Sequence, residues 1–176
     1  NAKIDESIYE TNSFLIDKKP TLIEYSAFFG SIRIFQYLLN NKINLKAEIW
    51  YYAIHGHHAE IIEHLEKNHV EPTCKLYERK FYYRKRNKFF IQCFIESIKC
   101  HHNDFADYIQ DNFIQELNTE PLLNTTIIEY YNFYFINDIL INESIIYDLI
   151  KYDYYTLIAL FLQSKVIEIN DQIINK

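Results

Sequence analysis

Apolar residues recur three and four positions apart in short stretches along this chain, with polar or small-residue breaks between them. That is the spacing of amphipathic helices rather than of alternating strands. In Thr21 to Asn41 (TLIEYSAFFGSIRIFQYLLNN) a first apolar segment ends at Gly30. In the segment that follows, Ile32, Ile34, Phe35, Leu38 and Leu39 share one side, while Arg33, Gln36, Asn40 and Asn41 share the other. The pattern predicts a helix, a tight turn and a second helix.

The same form returns along the chain. Ala53 to Leu65 (AIHGHHAEIIEHL) aligns with Ser97 to Ile109 (SIKCHHNDFADYI) without a gap, placing His57 and His58 on His101 and His102, Ile61 on Phe105, Leu65 on Ile109 and Asn68 on Asn112. Thr21 to Tyr25 (TLIEY) aligns with Thr126 to Tyr130 (TIIEY), and Ala27 to Gly30 with Ala53 to Gly56 once one residue is inserted further on. The expected units cover about residues 21–45, 46–71, 93–116, 123–142 and 143–170 of a single array, with Asp153 at the last turn. The stretch 74–92 is an insertion between the second and third. A lone helix pair cannot bury its apolar side, so neighbouring pairs are expected to stack.

These residues resemble the ankyrin core pattern TPLHxAAxxGHxxIVxxLLxx. Thr21, Ile23, Ser26, Ala27, Gly30, Ile34, Leu38 and Leu39 stand on matching positions. Ala53, Gly56, His57, Ile61, Ile62 and Leu65 repeat the match, and a third copy has Cys100 in place of the turn glycine. The strings LIEYSAFFGS and SIKCHHND are also similar to a divergent ankyrin group expanded in some protists, which implies a fold and no particular activity. The Pro and His of the usual TPLH turn are absent; Leu22 and Glu24 stand there in the first unit, and Glu48 and Trp50 in the second. With its short spacing, the resemblance implies an all-α, ankyrin-like helical-hairpin repeat solenoid with shortened or missing β-hairpins. It also implies a scaffold that binds a protein or peptide on its concave face. The residues just before each turn would project there: Phe28 and Phe29, Ile54 and His55, Ile98 and Lys99, Phe133 and Tyr134. Of these, Phe29, His55, Lys99 and Tyr134 are the candidates for partner contact.

Composition narrows the picture. Two glycines and three prolines are too few for a fold built on many tight hairpins, and 49% hydrophobic residues are enough for a substantial core. Tyr (16) and Phe (13) must supply much of the packing area. Cys74, Cys93 and Cys100 show no disulfide framework and read as free thiols of a reduced, intracellular and cytoplasmic setting. The longest apolar run, Leu157 to Leu162, is far too short to span a membrane. Methionine is absent even at position 1, so the sequence reads as a piece excised from a longer polypeptide.

Charge is uneven along the chain. The formal net charge is -6, yet Lys75 to Lys88 holds seven basic residues against Glu78 alone. Arg79, Lys80, Arg84, Lys85 and Arg86, interleaved with Phe and Tyr, form an alternative surface for nucleic acid or another anionic partner, and RKRNK is weakly like a nuclear import signal. No glycine-rich phosphate loop, GxSxG or HExxH occurs, so neither a catalytic residue nor a cofactor is expected. The clusters His55, His57, His58, His64, His69 and Cys100, His101, His102 have ligand-type side chains. Because the paired histidines recur at one repeat position, a structural role is expected and a metal is not.

Overall fold

The computed structural model describes residues 3–4, 7–71, 79–114, 121–138 and 143–163, and within these ranges the chain is helical, with a single isolated bridge between Lys3 and Thr21 outside the helices. It divides into two compact units, Asn1–Gln115 and Glu116–Lys176. No helix among the described residues is long and apolar enough to cross a membrane.

The first unit contains α1 (Ser13–Lys18), α2 (Leu22–Phe28), α3 (Ile32–Asn40), α4 (Ile49–Gly56), α5 (Ala59–Lys67), α6 (Arg79–Lys99) and α7 (Asn103–Phe113). Helices pair in sequence, α2 with α3, α4 with α5 and α6 with α7. The first helices also pack in series, α2 on α4 and α4 on α6. As the middle helix of that row, α4 buries Ile49, Trp50, Tyr52, Ala53 and Ile54, which is why its sequence is apolar almost all round. Among the described residues one side of α3 is covered. Phe35 and Leu38 are buried there, whereas Ile34, on the predicted apolar side, lies half exposed.

The start of α2 shows what replaces the missing TPLH turn. Thr21 is the N-cap, and both its backbone N–H (2.7 Å) and its hydroxyl (2.8 Å) donate to Glu24 Oε2. Glu24 thereby satisfies an N–H that the helix itself leaves unpaired.

Every helix pair of this unit turns through the same local geometry. Gly30, His57 and His101 take φ of 60°, 58° and 57°, in the left-handed region. The next amide in each case donates to the carbonyl five residues back: Ser31 to Ser26 at 2.9 Å, His58 to Ala53 at 3.1 Å, His102 to Ser97 at 3.0 Å. This is the hydrogen bond that closes a Schellman-type helix end. The second helices also end alike, since the side-chain amides of Asn41, Asn68 and Asn112 donate to the carbonyls of Tyr37, His64 and Tyr108 at 2.7, 2.7 and 2.8 Å.

These turns correct the alignment read from the sequence. The left-handed residue of the second pair is His57 and not Gly56, and that of the third is His101 and not Cys100. The first two pairs therefore superpose in sequence without the inserted residue. Gly30 matches His57, Ile34 matches Ile61 and Leu38 matches Leu65, and Phe28 becomes the equivalent of His55 and Lys99. Gly56 is glycine for another reason: a Cβ there would lie 2.0 Å from the carbonyl oxygen of Phe28.

The described part of the stretch 74–92 is continuous helix. Residues 79–92 run without a break into 93–99 as α6, so the length that separates the second and third turns is spent in part on extending a first helix. Its Phe90 enters the core, packing edge-on to Trp50 at 5.3 Å and stacked on Phe113 at 4.2 Å.

The second unit contains α8 (Pro121–Glu129), a 3-10 helix (Phe133–Asp138), α9 (Glu143–Lys151) and α10 (Tyr155–Gln163). Tyr131 and Asp153 are its left-handed turn residues, at φ 59° and 61°. Its core includes Ile127, Ile128, Phe135, Ile145 and Leu149. Thr125 donates to Asp148 at 2.9 Å, linking α8 to α9.

Candidate functional site

The residues nominated from the sequence have different fates. Phe29 is half exposed at the end of α2, with its ring 4.7 Å from Tyr25 and 5.0 Å from Phe28. Lys99, on the last turn of α6, donates to Glu96 Oε1 at 3.1 Å. Tyr134 belongs to the second unit, where it is exposed and packs edge-on to Phe135 at 4.8 Å. Phe29, His55 and Lys99 are all in the first unit.

His55 is the most constrained of the four. Its ring lies under Phe14 of α1, nearly parallel (16°) at 3.7 Å between centroids, and 17% of its side chain is exposed. Nε2 is 3.0 Å from Glu96 Oε2 and Nδ1 is 3.3 Å from Cys100 Sγ. A carboxylate can only accept, so Nε2 carries a proton; in the neutral ring Nδ1 is then the acceptor for the thiol. Glu96 Oε1 takes hydrogen bonds from Gln92 at 2.9 Å as well as from Lys99. Burial alone would raise the Glu96 carboxyl; the hydrogen bond from His55 and the charge and hydrogen bond of Lys99, with that of Gln92, outweigh it and hold the group down at about 2.

A cysteine, a histidine and a carboxylate in a row resemble a nucleophile with its base, yet the electrostatics run the other way. Burial first, then the Glu96 charge, push the Cys100 thiol up to about 12 against the weaker pull of Lys99. An efficient thiol nucleophile needs the thiolate. Here the S–H stays protonated and acts as a donor, so the row is a hydrogen-bonded strut between α4 and α6. Cys93 is fully buried, and burial raises its thiol as well. This row escapes a search for spaced motifs because its members belong to different helix pairs. The 44-residue repeat does place Cys100 at the position equivalent to Gly56, next to His55, and that is the signal in the sequence that points to it.

The second histidine group lies at the turns. His57 Nε2 is 3.0 and 2.9 Å from the two carboxylate oxygens of Asp104, and its ring stacks on His102 at 4.2 Å. His102 Nδ1 lies 2.8 Å from the Ile54 carbonyl and must donate to it. Among the described residues no group of three or more His, Cys, Asp or Glu is placed to hold a metal ion.

Of the basic block, Arg79, Lys80, Arg84 and Lys85 lie on the first two turns of α6, and their side chains are outside the described part of the structure, as is the whole of Cys74. Arg86 is engaged within the fold. Its Nε and Nη2 donate to the two carboxylate oxygens of Glu71 at 2.8 and 3.1 Å, and its guanidinium lies 5.0 Å from the Phe90 ring centroid.

Acid weakens both histidine-linked clusters, at different pH. His102 is shifted below the usual histidine value, first by burial, so the native state favours the neutral ring. Its contribution is complete above the ordinary value of about 6.5 and is lost as pH falls below it. Glu96 is also lowered, so its contribution is complete above the ordinary carboxylate value and is lost as pH falls from there toward about 2. Urea unfolding from pH 8 to pH 3 is expected to show stability falling in two limbs. Asp104 is lowered as well and shares the lower limb, so Glu96→Gln should make that limb shallower by about 2 kcal/mol between pH 5 and pH 3 without abolishing it. An unchanged lower limb in that variant would show that the His55–Glu96–Lys99 cluster contributes little.

Comparison with family models, with curated proteins and with solved structures finds no match to this chain.

Proposed function

We propose that the first unit is an ankyrin-like array of three helix pairs that binds a protein or peptide on the face carrying Phe28, Phe29, His55 and Lys99, and that it works by binding and not by catalysis. The observation that carries this reading is the recurrence of one turn and one helix end through all three pairs: Gly30, His57 and His101 at the turns, Asn41, Asn68 and Asn112 at the exits. Stacked equivalent pairs bring equivalent positions into register along one side, which is how repeat scaffolds assemble an extended binding surface. Phe28, His55 and Lys99 are such positions, and the half-exposed Phe29 adjoins Phe28. A partly exposed aromatic beside fixed polar groups is the composition of interface hot spots.

A photo-crosslinking residue at position 29, used in the native cell, is expected to join the chain to a specific partner. The Phe29→Ala, Lys99→Ala double variant should then lower recovery of that partner about tenfold or more, roughly the 1–2 kcal/mol of a hot-spot residue. The double variant should stay folded while losing about 1 kcal/mol of stability, since Lys99 donates to Glu96 and Phe29 packs on Tyr25 and Phe28. Unchanged recovery by a folded double variant sinks this face.

A further inference from the structure

The face just described already has an occupant. Phe14 of α1 lies on it, stacked on His55 at 3.7 Å, edge-on to Tyr52 at 5.1 Å and nearly parallel to Phe28 at 6.2 Å. Phe28 and His55 hold the same position in successive helix pairs, and Tyr52 sits one turn earlier on the same side of α4, so the three rings form a slot across the row of first helices. Phe14 comes from outside the pairs. Its helix has six residues and little backbone packing against the others; it is anchored by buried Leu15 beside Phe14 and by Pro20, whose carbonyl accepts from the Ile4 N–H at 3.0 Å.

One wall of the slot is held by groups other than Phe14. Both ring nitrogens of His55 are committed, one to Cys100 and one to Glu96, so the imidazole plane on which Phe14 stacks is set by α6 and not by the stacked ring. A receptor surface already held in its bound form loses little on taking up a ligand. Near-parallel stacking on one ring and edge contact with another reward a flat aromatic side chain over an aliphatic one of equal bulk.

Resting on the recognition-face reading above, we propose that Phe28, Tyr52 and His55 form an aromatic-receiving subsite, that Phe14 fills it in the free chain, and that the partner is a peptide segment whose aromatic side chain takes the place of Phe14. The free chain is thus self-occupied. Its apparent affinity for the partner is reduced by the fraction of time the slot is filled.

The test uses the full chain and, as probe, a fluorescent peptide spanning its own residues 7–20. Phe14→Ala is expected to bind this peptide at least about tenfold more tightly than the unsubstituted chain, which is the penalty of a slot filled nine-tenths of the time or more. The same peptide with alanine in place of its phenylalanine should not bind. Adding His55→Ala to Phe14→Ala should abolish binding, and the His55 ring resonances should shift on titration of the single variant. Equal binding by the unsubstituted and Phe14→Ala chains, or equal binding of the two peptides, overturns the proposal. If Phe14→Ala loses its helical circular dichroism, Phe14→Leu decides by the same criteria, because it keeps apolar cover while removing the stack. If a folded Phe14 variant ignores the peptide but the Phe29, Lys99 double variant still loses its partner, the subsite is wrong and the face stands. If the double variant also keeps its partner, the face itself is wrong.

Discussion

Trp50→Ala is expected to remove about 4 kcal/mol from the stability of the first unit, the middle of the range for truncating a large buried ring. Trp50 is 1% exposed at the start of α4, in the middle of the helix row. It packs edge-on to Phe90 of α6 at 5.3 Å and Phe113 of α7 at 5.4 Å. Its Nε1–H donates to the Val70 carbonyl at 2.7 Å, tying the segment after α5 back to α4. Alanine would leave a cavity walled by two phenylalanines whose positions are set by Arg86 and by their own stacking, so the gap closes poorly. A unit of this size has a total stability of only about 5–15 kcal/mol, so the loss should move the urea midpoint substantially. Trp50→Phe separates the two contributions, since it keeps most of the ring and loses the hydrogen bond, with an expected cost of about 1–2 kcal/mol. Equilibrium urea unfolding followed by far-ultraviolet circular dichroism measures both. A loss below about 1 kcal/mol for Trp50→Ala would mean that this aromatic cluster does not hold the second and third pairs together.

Gly56→Ala is the second large effect, and its sign opposes intrinsic propensity. Gly56 ends α4 in helical conformation, where alanine is ordinarily preferred by about 1 kcal/mol. The added methyl carbon would sit 2.0 Å from the carbonyl oxygen and 2.8 Å from the carbonyl carbon of Phe28, both backbone atoms, and 2.7 Å from His58 Cδ2. Relief therefore requires α2 and α4 to move apart at the point where the first two pairs meet, disturbing the Phe28 and His55 side of the slot as well. A net loss of about 2–4 kcal/mol is expected, the range of overpacking with backbone displacement. Peptide binding to the Phe14→Ala chain should weaken with it. A stabilised Gly56→Ala protein would show that the close approach of the two helices is not maintained in solution.

Apolar spacing carries part of this fold, and the packing of one helix pair on the next carries the rest. The helix, turn and helix of 21–41 follow from apolar spacing around Gly30, and the polar residues Arg33, Gln36, Asn40 and Asn41 are exposed as that spacing requires. Ile34 is the exception: it is half exposed, because among the described residues the packing of α3 is centred on Phe35 and Leu38, which the periodicity of a single helix does not encode. The turn of the second pair was misplaced by one residue because glycine is the usual left-handed residue, and Gly56 stands beside a histidine that takes the conformation instead. The matching histidine at His101 was the available clue. Of the residues nominated for contact, Phe29 is half exposed, whereas His55 is covered by Phe14, from a segment outside the repeated pattern. The spacing lengthens across the basic stretch, from 27 positions between the turn residues Gly30 and His57 to 44 between His57 and His101, and the described residues 79–92 are helix continuous to Lys99.

The sequence by itself determined the helical class, the pairing of helices about short turns and the recurrence of those turns, because helix periodicity and end-capping are set by residues within a few positions of one another. Thr21 with Glu24, and Asn41, Asn68 and Asn112 with the carbonyls four residues before them, are interactions of this local kind. Only the tertiary structure decided that Cys100 and Glu96 hold His55, that Gly56 gives way to the carbonyl of Phe28, and that Phe14 lies over the face the repeat pattern nominates. Each of these joins residues tens of positions apart, and each depends on how closely and at what angle neighbouring pairs stack. That geometry comes from side-chain volume and shape across the interface, which a one-dimensional pattern of apolar and polar positions does not carry.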